Sequence, residues 1–177
     1  MTDINSILTR THGHAGDEPA PGADALGDGD VLEIVELLFF AYRDFISDPD
    51  KLLSEYGFGR AHHRVLHFLK RNPGIRVADL LDILKITKQS LGRVLKQLID
   101  EGFVYQVEGQ TDRRQRLLHL TDRGSALAEA LARPQIARVR AALDRAGPQA
   151  RDCLTNALFN LIDDTERARV RRLVRRD

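Results

Sequence analysis

The chain of 177 residues is 42% hydrophobic, 30% charged and 6% aromatic with a single Cys, which excludes a disulfide-stapled secreted fold and a cysteine-ligated zinc finger. Its longest apolar run, Leu37 to Tyr42, falls far short of the roughly 18 residues a membrane span needs, and no signal peptide is visible, so the expected location is the cytoplasm. The net charge of +1 hides an asymmetry of −9 over residues 1–50, +6 over 51–120 and +4 over 121–177, so the basic remainder either meets a polyanion or is an ordinary solvated surface.

Residues 11–30 are dominated by Gly, Asp, Ala and Pro without an apolar period, so residues 1–29 are expected to form a flexible acidic tail. His12 and His14 lie within it and read as solvated histidines, because a metal site needs more fixed ligands. Asp30 is the expected cap of a first helix, whose apolar stripe Val31, Ile34, Val35, Leu38, Tyr42 and Phe45 is widened by Leu37, Phe39 and Phe40. A helix apolar over that much of its circumference is expected to be covered on several sides. Pro49 is expected to end or bend it. Residues 60–71 predict a second helix with Val65, Leu66 and Leu69 inward, closed by the turn Asn72-Pro73-Gly74.

Two short helices follow. The first, from Arg76 to about Leu84, places Val77, Leu80, Leu81 and Leu84 at i, i+3, i+4, i+7. The second starts after Thr87, a candidate N-cap, and runs to Glu101 with Leu91, Val94, Leu95, Leu98 and Ile99 inward. Only Lys85-Ile86 separates them, and Gly102 is placed to stop the second. The period then changes to that of strands at 103–107 and 116–120, joined by a loop carrying Arg113 and Arg114. Thr121-Asp122 opens a long helical region, expected to break or bend at Pro134 and again at Gly147-Pro148. The remainder to Arg176 reads as helical, with a basic end that suits either the helix dipole or an extra DNA contact.

Helix, tight turn, helix and basic hairpin is the order of a winged helix-turn-helix. The face opposite the inward set of the second short helix holds Lys88, Gln89, Gly92, Arg93, Lys96 and Gln97 with Ser90 beside it, and no acid before Asp100. Gln and Arg can read base edges, while Ser and Lys suit phosphates or bases. Gly92 costs a helix interior about 1 kcal/mol relative to Ala, which a close approach of DNA or of another helix would explain. An ordinary amphipathic helix with a polar outside is the competing explanation of this face.

The run from Asp112 through Arg114, Arg116, Leu120 and Thr121 to Gly124 resembles the wing signature of MarR-family transcriptional regulators, D-x-R-x-x-x-x-x-L-T-x-x-G. Residues 77–104 resemble that family's helix-turn-helix, and the similarity extends over about 31–175. It implies a mainly α fold with a small β-hairpin wing, in which 60–121 form the DNA-binding lobe and 30–58 with 122–177 form the dimerisation helices of a domain spanning 30–177. It further implies a homodimer on a pseudo-palindromic double-stranded operator. Thr87, Lys88, Gln89, Ser90 and Arg93 would form the major-groove and phosphate set, with Lys96, Gln97 and Arg113 as further DNA-binding candidates. Arg114 would enter the minor groove, whose narrow form attracts arginine. Asp112 would pair with Arg116 or Arg114 to hold the wing, and Thr121 would cap the helix that leaves it. Similar proteins release DNA when a small aromatic or anionic molecule binds between the two regions, and Tyr42, Phe45, His62, His63 and Arg64 are the candidates to line that cleft.

His63 and His67 share an i, i+4 spacing, but without a third ligand they read as packing or surface residues, and Cys153 as an apolar filler. No metal or other cofactor is expected. No G-x-S-x-G, P-loop, H-E-x-x-H or G-x-G-x-x-G occurs, so no enzyme is expected. The expected function is a regulator, most naturally a repressor relieved by a ligand. The alternatives are a winged-helix protein-interaction module and a nonspecific architectural DNA-binding protein.

Overall fold

The structure, a computed structural model, describes residues 26–109 and 115–174. The expectations for residues 1–25 of the tail, for His12 and His14 within it, and for Asp112, Arg113 and Arg114 lie outside the described residues, while Asp28 and Gly29, expected in the tail, belong to the first helix. The elements in order are α1 (Asp28–Glu55), α2 (Arg60–Arg71), β1 (Ile75–Arg76), α3 (Val77–Leu84), α4 (Lys88–Asp100), β2 (Val104–Glu108), β3 (Arg116–Leu120), α5 (Asp122–Ala146), α6 (Ala150–Asn160) and α7 (Asp164–Val174). The chain divides into two units, 1–37 and 38–177. In the first, the opening turns of α1 leave Val31, Leu32, Ile34, Val35 and Leu37 exposed. Everything below concerns the second unit, apart from the cap of α1.

Helix α1 departs from expectation at both ends. It starts at Asp28, and Asp30 sits inside it, where its carboxylate accepts from the Gly27 N–H at 3.1 Å. Asp30 thus reaches back to the residue before the helix, as the third residue of a capping box does. Pro49 does not end α1 but lies buried within it. A proline has no N–H to give to the carbonyl four residues back. Here that carbonyl, on Phe45, accepts instead from the Gln135 side-chain amide of α5 at 3.2 Å.

Helix α2 has the predicted bounds, with Val65, Leu66 and Leu69 fully buried. Asn72 closes it, its backbone N–H and its side chain both donating to the Phe68 carbonyl. Residues 75 and 76, expected to lead into a helix, form strand β1 instead. Ile75 pairs with Leu118 and Arg76 with Leu117, so the sheet has three antiparallel strands in the order β1-β3-β2 rather than two. Strands β2 and β3 pair from Val104 with Leu120 to Glu108 with Arg116.

Helix α5 runs on through Pro134, where a break or bend was expected, and ends at Gly147. It is fastened on either side of the proline: Leu131 is fully buried before it, and Gln135 and Arg138 bond to Phe45 and Asp48 of α1 after it. The last stretch, expected to be helical, forms two helices, α6 and α7. Arg167 donates to the carbonyls of Asn160 at 2.6 Å and Ile162 at 2.9 Å, so a side chain satisfies groups that another helical turn would have used. One buried cluster unites the end of α1, helices α2, α3 and α4, the sheet and the start of α5, including Leu53, Phe58, Leu66, Leu80, Leu98, Phe103, Leu118 and Leu131.

Candidate nucleic-acid interface

Helix α4 is set by its start. Thr87 is extended at the N-cap, and its hydroxyl oxygen accepts from the Ser90 N–H at 3.1 Å while the hydroxyl donates to Ser90 Oγ at 2.8 Å. Lys85 takes a left-handed conformation, φ 50°, at the end of α3, which makes the two-residue turn possible. At the other end Gly102 has φ 75°, and the Phe103 N–H bonds back to the Leu98 carbonyl at 2.8 Å. Leu91, Val94, Leu95 and Leu98 are buried, which turns the opposite face outward.

That face carries Lys88, Gln89, Ser90, Gly92, Arg93 and Lys96, all exposed. Among the described residues, Lys88 and Arg93 have no ion-pair partner, whereas Lys96 pairs with Asp100. Among the described residues a Cβ added to Gly92 would meet nothing within 4 Å, so none of the described helices accounts for the glycine. Gln97 differs from the rest of its set. It is half-buried, and its side chain bonds to His62 of α2 at 2.9 Å and to Glu101 at 3.0 Å.

The wing strands are pinned at their outer end by Arg116, which pairs with Glu108 at 2.7 Å, directly across the ladder. Glu108 is therefore a partner of Arg116 among the described residues. At their inner end Thr121 holds three elements together. Its hydroxyl donates to the Gly102 carbonyl at 2.8 Å and accepts from the Gly124 N–H at 3.0 Å, while its own N–H bonds to the Phe103 carbonyl at 3.1 Å.

A cavity of about 280 Å³ lies between α1, α2 and α5, lined by Tyr42, Phe45, His63, Arg64, Arg60 and His67 among others. The structure thus brings together four of the five expected cleft residues, and His62 lies outside that lining. Arg60 is neutralised by two bonds to Asp50, at 3.0 and 2.9 Å. Arg64 instead donates to the Leu84 carbonyl, the last residue of α3, at 2.8 Å. A larger hollow of about 790 Å³ runs along α5 past Ile136, Val139 and Leu143, and shares Phe45, His67 and Phe68 with the first.

Burial, and then the neighbouring His67, hold His63 below the ordinary histidine range; burial, and then Arg71, do the same for His67. The folded state therefore binds fewer protons than the unfolded one, and stability must rise with pH across this window. Melting temperature is expected to fall by a few degrees from about pH 7.5 to about pH 5.5, starting near the ordinary histidine value of about 6.5. The drop should shrink in a His63→Asn/His67→Asn double variant. An unchanged drop in that variant would assign the acid sensitivity to other groups.

Among the described residues no group of three or more His, Cys, Asp or Glu could hold a metal ion, and no helix is long and apolar enough to cross a membrane. The MarR family profile matches residues 56–115. The HTH-type transcriptional regulator PetP of Rhodobacter capsulatus is 47% identical over 137 residues, covering 76% of this chain and 82% of PetP. The fold is similar to that of Streptococcus pneumoniae FabT, solved in complex with DNA, with a TM-score of 0.66 at 20% identity over 75% of this chain and 94% of FabT. A MarR transcriptional regulator from Methanosarcina mazei matches with a TM-score of 0.57 at 29% identity, over 72% of this chain and 91% of its own. Likeness at this identity and coverage, on a helix-turn-helix followed by a three-stranded wing, leaves one conclusion: the chain belongs to the MarR family and is a winged helix-turn-helix transcriptional regulator, not an enzyme.

Proposed function

We propose that the protein works as a homodimer that binds a pseudo-palindromic double-stranded operator and represses until a small aromatic or anionic molecule releases it. The observation that carries DNA binding is the exposed, acid-free face of α4 from Lys88 to Arg93, with two unpaired cations and a glycine that no contact requires among the described residues. Gln89 and Arg93 are the candidates for base edges, Lys88 and Ser90 for phosphates. Arg114 is assigned to the minor groove on the wing motif, and Arg113 to a phosphate. Gln97 leaves this set, because its amide is occupied within the lobe.

Dimerisation is supported by the apolar surface of α1, where Leu38, Phe39, Phe40 and Tyr42 are exposed, and by Leu154, Leu158 and Leu161 on and after α6. Release is supported by the double employment of Arg64. It lines the cavity and also holds the carbonyl at which α3 hands over to the turn before α4. An anion in the cavity competes for that guanidinium by offering it an ion pair in place of a bond to a neutral carbonyl.

The test is a titration of the full chain against duplex DNA from upstream of its own gene and an unrelated duplex of equal length, at two salt concentrations. Tight binding of one fragment, two chains per site, supports the regulator reading. Equal, weak and salt-steep binding to both favours an architectural protein. No binding at low salt favours an interaction module. Arg114→Ala is expected to weaken binding to the selected fragment about tenfold, in line with loss of one groove contact, with the melting temperature unchanged. Wild-type affinity in that variant would remove Arg114 from the groove.

A further inference from the structure

His62 stands at the third position of α2 and makes three contacts of fixed sense. Its Nδ1 lies 3.1 Å from the Gly59 N–H, the residue before the helix. Its Nε2 lies 2.9 Å from Gln97 Oε1 on α4, 35 residues away in sequence. Its ring stacks on the buried Phe58 at 4.7 Å, the planes 4° apart. A backbone N–H can only donate, so Nδ1 must be an unprotonated acceptor and the proton must sit on Nε2.

The other end of the chain demands the same. Glu101 Oε1 lies 3.0 Å from the Gln97 amide nitrogen, and a carboxylate only accepts. Gln97 therefore turns its NH2 to Glu101 and its oxygen to His62, and needs a donor there. Donation runs in one direction, from Gly59 to His62 to Gln97 to Glu101. Only one of the three forms of histidine fits, the neutral ring with Nε2–H. Glu101 is itself anchored, its carbonyl accepting from Arg123 of α5 at 2.8 Å.

We propose that His62 is a positioning residue for the recognition helix: it ties the start of α2 to the last turns of α4 through Gln97. Tyr56 meets the cluster through Phe58, Arg123 through Phe103, and Glu101 reaches the ring only through the Gln97 amide. The tie acts on DNA without touching it, since half-buried Gln97 lies one turn beyond Arg93 on α4. The proposal rests on the DNA-binding reading for its consequence, but not for the tie itself.

The experiment has two arms. In the DNA-free protein, long-range 15N–1H spectra at about pH 7.5 report the tautomer directly. A neutral ring with Nε2–H, perturbed by Gln97→Ala, is expected; an Nδ1–H ring overturns the tie whether or not DNA binds. With the duplex selected in the titration, His62→Ala is expected to lose about tenfold in affinity, and the double variant with Gln97→Ala no more than the worse single one, because both act through one bond. His62→Gln offers an oxygen to Gly59 and an NH2 to Gln97, so it is expected to restore affinity. Additive losses, or a His62→Gln protein that binds as weakly as His62→Ala, overturn the positioning role.

Discussion

Gly124→Ala is expected to lower the unfolding free energy by about 3–5 kcal/mol, near the upper end of what single substitutions do. A Cβ there would lie 2.0 Å from the Phe103 carbonyl oxygen and 2.9 Å from its carbon. Both are backbone atoms of a buried residue, so no rotamer change relieves the overlap. The first turn of α5 would have to move out. That displacement would pull Thr121 away from Gly102, Phe103 and Gly124, which it now bonds at once. The terminal glycine of the D-x-R…L-T-x-x-G motif is thereby explained as a close approach of helix to backbone, with no ligand invoked. Gly92→Ala is the control: its Cβ meets nothing, so α4 should gain up to about 1 kcal/mol. Urea unfolding of the two variants checks both signs. A Gly124→Ala protein as stable as wild type would mean that α5 can shift without cost.

The second large effect concerns assembly and rests on the proposed homodimer. The double variant Leu38→Glu/Phe39→Glu is expected to raise the dimer dissociation constant at least about 1000-fold, giving monomers at micromolar concentration. Phe39 is 70% exposed and Leu38 47%, on a helix that needs neither for its own fold. Covering such a side chain contributes about 1.5–3 kcal/mol. A two-fold interface counts each substitution twice, so four apolar contacts are lost and four carboxylates must stay hydrated. Glu is a good helix former, so α1 itself should persist. Sedimentation velocity decides: a variant that sediments like a dimeric wild type places the interface elsewhere.

What was legible in the sequence were the features with local causes. The bounds of α2, the Thr87 and Thr121 caps, the Gly102 stop and the exposed face of α4 all follow from neighbours a few residues apart. The features that were not legible have partners far along the chain. Strand β1 is two residues long, too short for a period, and exists because Leu117 and Leu118 offer it an edge. Pro49 carries a strong stop signal, overruled by a glutamine 86 positions after it in sequence, at 135. His62 and Gln97 each look like surface polar residues until they are set 2.9 Å apart.

The short strand β1 also decides how the lobe responds to load. It leads directly into α3 and is zipped to β3, while the Gly74 N–H before it bonds to the Leu118 carbonyl at 2.9 Å. The helix-turn-helix and the wing strands are thus geared to one another, and neither can swing without stripping that seam. Their span is a fixed gauge. A duplex whose groove spacing does not match it has to bend or twist to fit, so the elastic energy of a poor match is stored in the nucleic acid rather than in the protein.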